Sequence, residues 1–227
     1  MPRLPRSWTL QEGASLHKVW RGHNKEFNLG TPEDKLRYLN YLQEEKAKDP
    51  NPLHAFCIMG NHSHEVYTLK DLPKFSNYMR QHHARYGLVF NKRHKRCGKV
   101  AQDRPLTSQF ENDQHEMRAV LYIHANPIRA GIKHGRNYLW STHQLYAYGK
   151  RPKWLKEETI QFPGWYMALG KTMEERQKVY RDIFERYLID YGYKKEPIVV
   201  YGTGSIYWVM ARHKSISERF KQYKSSD

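Results

Sequence analysis

The segment His54-Ala55-Phe56-Cys57-Ile58-Met59-Gly60-Asn61-His62-Ser63-His64-Glu65-Val66 constrains this chain more than any other. An apolar run ends at Gly60-Asn61, a dipeptide suited to tight hairpin turns, and a second run begins at His62. The reading is strand, turn, return strand: His54 to Met59, then His62 to Thr68. Side chains alternate faces along a strand, so His62 and His64 share one side of a sheet. Ser63 and Glu65 point together to the other side.

The flanking sequence supplies the partners such a hairpin needs. Leu16 to Trp20 reads as a first strand. Thr31-Pro32-Glu33-Asp34 is a helix start, with a hydroxyl cap, proline in the first turn and acids near the positive end of the dipole. Leu36, Leu39 and Leu42 continue that helix to about Lys48, and Asp49-Pro50-Asn51-Pro52 breaks it. A second helix is expected from about Leu72 to Phe90, a basic loop from Asn91 to Lys99, and a further strand within Val100 to Ser108. The order strand-helix-strand-strand-helix-strand predicts an α+β domain of ferredoxin-like plan, a central antiparallel sheet with packed helices.

The helix that follows, from about Asn112 to Ala125, carries Met117, Val120, Leu121 and Ile128 as an apolar stripe. Tyr122 and Asn126, four residues apart, fall together on a different side with Arg118 and Arg129. Pro127 marks Asn126 as the expected helix terminus. Two imidazoles, an amide oxygen and a phenol are the groups that a metal-assisted phosphoryl transfer with a tyrosine nucleophile requires.

Charge narrows the partner. Lys and Arg number 39 against 23 Asp and Glu, a formal charge of +16, and the pI is near 9.7. Such a surface suits a polyanion, nucleic acid first, and 17 tyrosines among the basic residues suit the exposed bases of single strands. Candidate backbone contacts are Arg80 and Arg85 on the second helix, then Lys92, Arg93, Lys95, Arg96, Lys99 and Arg104, with Arg118 and Arg129 beside the tyrosine. The adjacent pair His82-His83 does not converge on one ion and is expected to face solvent or DNA. Cys57 and Cys97 form no disulfide framework or metal knuckle, which points to a reducing cytosol. No signal peptide and no run of apolar residues long enough to span a membrane is read.

These residues resemble the HUH superfamily of single-strand DNA endonucleases, and within it the single-tyrosine and REP-associated tyrosine transposases. The likeness runs from about residue 15 to 149: Leu16-His17-Lys18-Val19-Trp20-Arg21-Gly22-His23-Asn24, the His62-Ser63-His64 segment, the basic Phe90-to-Gly98 stretch, Tyr122-Ile123-His124-Ala125-Asn126-Pro127-Ile128-Arg129-Ala130-Gly131, and Tyr138-Leu139-Trp140-Ser141-Thr142. The resemblance implies Mg or Mn held by His62, His64 and Asn126, Tyr122 as nucleophile, and DNA hairpins from repetitive extragenic palindromes as substrate. Ser63 departs from the pattern, which usually has a bulky apolar residue there, and is expected to weaken packing on the face away from the histidines.

Two rival readings stand beside it: a non-catalytic DNA- or RNA-binding regulator, and a metal nuclease that uses water. Residues 1–149 are expected to form the HUH domain. Residues 150–227 read as an extension for DNA recognition or dimerisation, with a linker at Arg151-Pro152-Lys153, helices at about Glu174 to Asp190 and Ile206 to Lys224, and Ile198 to Tyr201 between them. Spacing leaves monomer and homodimer open, and with them an active site built within one chain or across two.

Overall fold

The computed structural model describes residues 4–191 and 202–225. In chain order the elements are α1 (Arg6–Thr9), β1 (Ser15–Arg21), α2 (Pro32–Lys46), β2 (Leu53–Ile58), β3 (His62–Thr68), α3 (Leu72–Arg93), β4 (Leu106–Gln109), α4 (Asp113–Arg129), α5 (His143–Tyr148), α6 (Gly164–Met167), α7 (Met173–Tyr191) and α8 (Ile206–Ser225). The strands form one sheet in the order β2-β3-β1-β4, and every neighbouring pair is antiparallel. This is the expected ferredoxin-like α+β plan. Ile198 to Tyr201 lies outside the described residues.

Alternation along the strands sorts the two faces into two cores. Leu16 and Trp20 of β1, Phe56 and Ile58 of β2 and Tyr67 of β3 pack with α2 and α3. Ala55, Cys57 and Val66 pack beneath α4, with Tyr146 of α5, Trp165 and Tyr166 of α6, and Tyr180, Phe184 and Tyr187 of α7. The sheet is therefore buried on both sides. The β2 edge continues outward, where Gln161 N–H donates to Leu53 C=O at 2.9 Å. Trp154 and Leu155 join the first core. At the opposite edge Thr203 bridges Phe110 in parallel register, ahead of α8.

Several local expectations need correction. Helix α4 does not stop at Asn126 but runs through Pro127 to Arg129. Proline forfeits one backbone bond and crowds the preceding turn. Here Asn126 and Pro127 are both buried, and the Asn126 and Pro127 carbonyls are taken by the N–H groups of Ala130 and Ile132. Packing holds the turn. Helix α3 likewise continues three residues past Phe90, placing Lys92 and Arg93 on it, and the fourth strand is confined to Leu106–Gln109.

His82 is not a surface residue. It is fully buried, with Nε2 2.9 Å from the Tyr38 carbonyl. Ser63 does not weaken the packing beneath it, because a polar network occupies that face. Its hydroxyl lies 2.8 Å from Tyr38 Oη and donates to Glu65 Oε1 at 3.0 Å.

Candidate active site on the helix α4 face of the sheet

Strand β3 places His62 and His64 on the face covered by α4, their rings 4.9 Å apart and nearly perpendicular. Helix α4 brings Tyr122 over the same spot: its ring centroid is 6.0 Å from that of His64, again edge to face. Tyr122, Asn126 and Arg129 follow one another at helical spacing, so all three line the side of α4 that meets the strand.

The two imidazoles are held from behind through the same atom. His62 Nδ1 lies 2.6 Å from Asn61 Oδ1, while Asn61 Nδ2 donates to the Lys25 carbonyl at 3.1 Å. An amide oxygen only accepts, so His62 carries its proton on Nδ1 and presents Nε2 as a lone pair. His64 Nδ1 lies 2.8 Å from His17 Nε2, a partner on β1 that sequence reasoning missed. Burial lowers His17 and His62 to about 4. It holds His64 well below the ordinary imidazole value, helped by the neighbouring His17, His62, Arg129 and Arg21. The imidazoles are therefore neutral at physiological pH, the state in which they ligate metals.

Arg129 closes the site from the helix end. Its guanidinium carbon sits 4.0 Å from the centre of the Tyr122 ring. One nitrogen donates to Asn126 Oδ1 at 2.9 Å and to the Tyr122 carbonyl. Asn126 is buried, and its Nδ2 has no hydrogen-bond partner among the described residues. Arg21, the register partner of His62 on β1, adds further positive charge. Among the described residues no group of three or more His, Cys, Asp or Glu is placed to share a metal ion. Any ion here would rest on the two Nε2 atoms and the Asn126 amide. That set of neutral donors fits a divalent cation whose remaining positions are filled by phosphate oxygens and water.

The other basic residues are dispersed. Arg80, Arg85, Lys92 and Arg93 lie on α3, across the sheet from the histidines. Arg85 is paired with Glu44 and Glu45 and stacked on Tyr41. Arg93 is paired with Glu33 and Asp34, and Arg96 with Glu26. Arg80 donates to Asn77, Arg104 to the Leu4 carbonyl, and Arg118 lies over Tyr191. Lys92, Lys95 and Lys99 are exposed. Pairing with acids is invisible in a sequence count of cations.

No protein-family profile and no curated protein matches the sequence. Among solved structures, a REP-associated tyrosine transposase bound to a REP hairpin superposes with a TM-score of 0.54. The two sequences are 21% identical over 71% of this chain and 95% of the other. The likeness shows that this chain shares the fold of that protein. No described helix is long and apolar enough to cross a membrane.

Proposed function

We propose that the protein is a metal-dependent single-strand DNA endonuclease and strand transferase acting on hairpin DNA through a 5′-phosphotyrosine intermediate. The observation that carries this reading is the meeting of His62 and His64 with Tyr122 on one face of the sheet, 6.0 Å between the His64 and Tyr122 rings. The transposase likeness in fold supports it, and the hairpin bound by that protein motivates the substrate.

His62, His64 and Asn126 would hold Mg or Mn, which when bound polarises the scissile phosphate and offsets charge developing on it. Asn126 Oδ1 accepts one hydrogen bond from Arg129 and keeps a second lone pair for the ion, and a substrate phosphate is a natural acceptor to draw Arg129 away. Tyr122 Oη attacks phosphorus in line, an Oη–P bond forms and the P–O3′ bond breaks. The phenol gives up its proton and the departing 3′-oxygen gains one. One phosphodiester replaces another, so a second 3′-hydroxyl can reverse the step and rejoin strands without ATP. The exposed Lys92, Lys95 and Lys99 would contribute sequence-independent phosphate contacts.

The test is a denaturing gel of purified protein with labelled single-strand hairpins in Mn, Mg or EDTA, beside Tyr122→Phe. A metal-dependent protein–DNA adduct absent from Tyr122→Phe is expected. Cleavage that survives in Tyr122→Phe would replace tyrosine attack with water attack. Tight binding without cleavage across a hairpin library would reduce the protein to a binding module.

A further inference from the structure

Asn61 fixes the proton of His62, and the matching position behind His64 is taken by His17. His17 lies on β1, opposite Val66 and diagonal to His64. Both rings are almost fully buried, stacked at 5.0 Å with 28° between planes, and His17 is stacked in turn against Phe110. One proton must lie between His17 Nε2 and His64 Nδ1, since two lone pairs 2.8 Å apart repel.

If that proton belongs to His17, the far nitrogen of His64 carries the other one and is useless as a ligand. If it belongs to His64, Nε2 is a lone pair beside that of His62. Residues that accept a proton from the back of a metal-bound imidazole set its tautomer, orientation and basicity.

We propose that His17 is a positioning residue that accepts the Nδ1 proton of His64 and so presents His64 Nε2 to a divalent cation shared with His62. The proposal rests on the metal reading of the site. It assigns His17 no contact with DNA and no step in the chemistry.

Two readouts in DNA-free protein test it, and neither depends on cleavage. The first is the tautomer of His64, read from its two nitrogen-15 shifts at neutral pH. The second is Mn affinity, read by electron paramagnetic resonance. Wild type should show His64 protonated on Nδ1. His17→Phe keeps the stacked ring but removes the acceptor. It should lose that tautomer preference and bind Mn roughly 10- to 100-fold more weakly. His17→Glu, an acceptor with no proton to give, should restore both. Circular dichroism and hairpin binding of each variant identify a fold defect, which would move those readouts as well.

A wild-type His64 protonated on Nε2 overturns the proposal, as does a His17→Phe protein with unchanged tautomer and Mn affinity. If wild type has the Nδ1 tautomer but binds no Mn, the metal role assigned to His17 falls. A wild type that binds Mn as described yet forms no Tyr122 adduct sinks only the transesterase reading.

Discussion

Removing the buried cation of Lys18 should unfold much of the stability of this protein, and removing its partner as well should restore most of it. Lys18 Nζ lies 2.7 Å from Glu65 Oε2, and both side chains are 0% exposed. The carboxylate also accepts from Tyr67 Oη at 2.5 Å, Tyr38 Oη at 3.0 Å and Ser63 Oγ at 3.0 Å. Burial alone would raise the Glu65 carboxyl, but Lys18, with His82 and the hydroxyl donors, holds it below the ordinary carboxylate range. Lys18→Met leaves that charge without a counterion, which costs about 3–5 kcal/mol. With a urea slope of about 2 kcal/mol per molar, the midpoint at pH 7 should fall by roughly 1.5–2.5 M.

In Lys18→Met/Glu65→Gln no charge is left behind. Tyr67 keeps Tyr78 at 2.8 Å and Tyr38 keeps Ser63, so the double variant should return to within about 1–2 kcal/mol of wild type. The pH dependence reverses between the proteins. In wild type the Glu65 carboxyl is lowered on folding, so its contribution is present above the unfolded value and lost as pH falls. In Lys18→Met burial raises it, so the deficit should shrink as pH falls and the carboxyl takes up a proton. A single-variant loss below about 1 kcal/mol, or additive losses in the double variant, would refute the idea that uncompensated charge dominates.

Four further outcomes follow from the same structure. His17, His62 and His143 titrate at about 4 and His82 at about 3 in the fold, burial being the main cause. The unfolded chain holds more protons between those values and 6.5, so stability should fall with acid near pH 5, each such group contributing about 1.4 kcal/mol per pH unit, measurable as urea midpoints. Glu116 goes the other way: burial raises it to about 7, so Glu116→Gln should leave stability near pH 4 unchanged and raise it by roughly 1–3 kcal/mol at pH 8, read by thermal melts. Ser63→Leu should destabilise by about 1–3 kcal/mol in urea titrations, since the space beneath it is polar and filled. Arg129→Gln frees the Tyr122 ring and loosens Asn126, so it should strengthen Mn binding by DNA-free protein while weakening DNA binding, both measurable by titration calorimetry.

The sequence made the sheet readable because its signals are local. Gly60-Asn61, the alternation across His62 to Val66 and the Thr31 cap each act within a few residues. Tyr122 and Asn126 were readable on one helix face for the same reason. What failed depends on register. His17 and Lys18 are ordinary strand residues until β1 is aligned on β3, which sets Lys18 opposite Glu65 and His17 diagonal to His64. Pro127 misled because a backbone preference worth about 3 kcal/mol in an exposed helix is overridden where the turn is buried on both sides. The helix at about Glu174 to Asp190 was legible, but the packing of its Tyr180, Phe184 and Tyr187 with α4 and α5 is a tertiary fact.

The register joins the buried pair to the site. Within β3 the residues from His62 to Glu65 alternate between two polar systems, the imidazoles under α4 and the ion pair under α2 and α3. The same one-residue step that puts His64 beside Tyr122 puts Glu65 opposite Lys18. A slip of β3 by one residue would drive both histidines into the aromatic core and strand Glu65 beneath α4. An apolar residue at position 65 would tolerate that slip better than a carboxylate with one cation in reach. The buried pair therefore contributes less to net stability than to the choice of register, and the register is what brings two imidazoles and a phenol together. On this view Lys18→Met/Glu65→Met, nearly as stable as wild type, should show greater heterogeneity in the His62 and His64 resonances. A single sharp set for both rings in that variant would assign register to the hairpin turn alone.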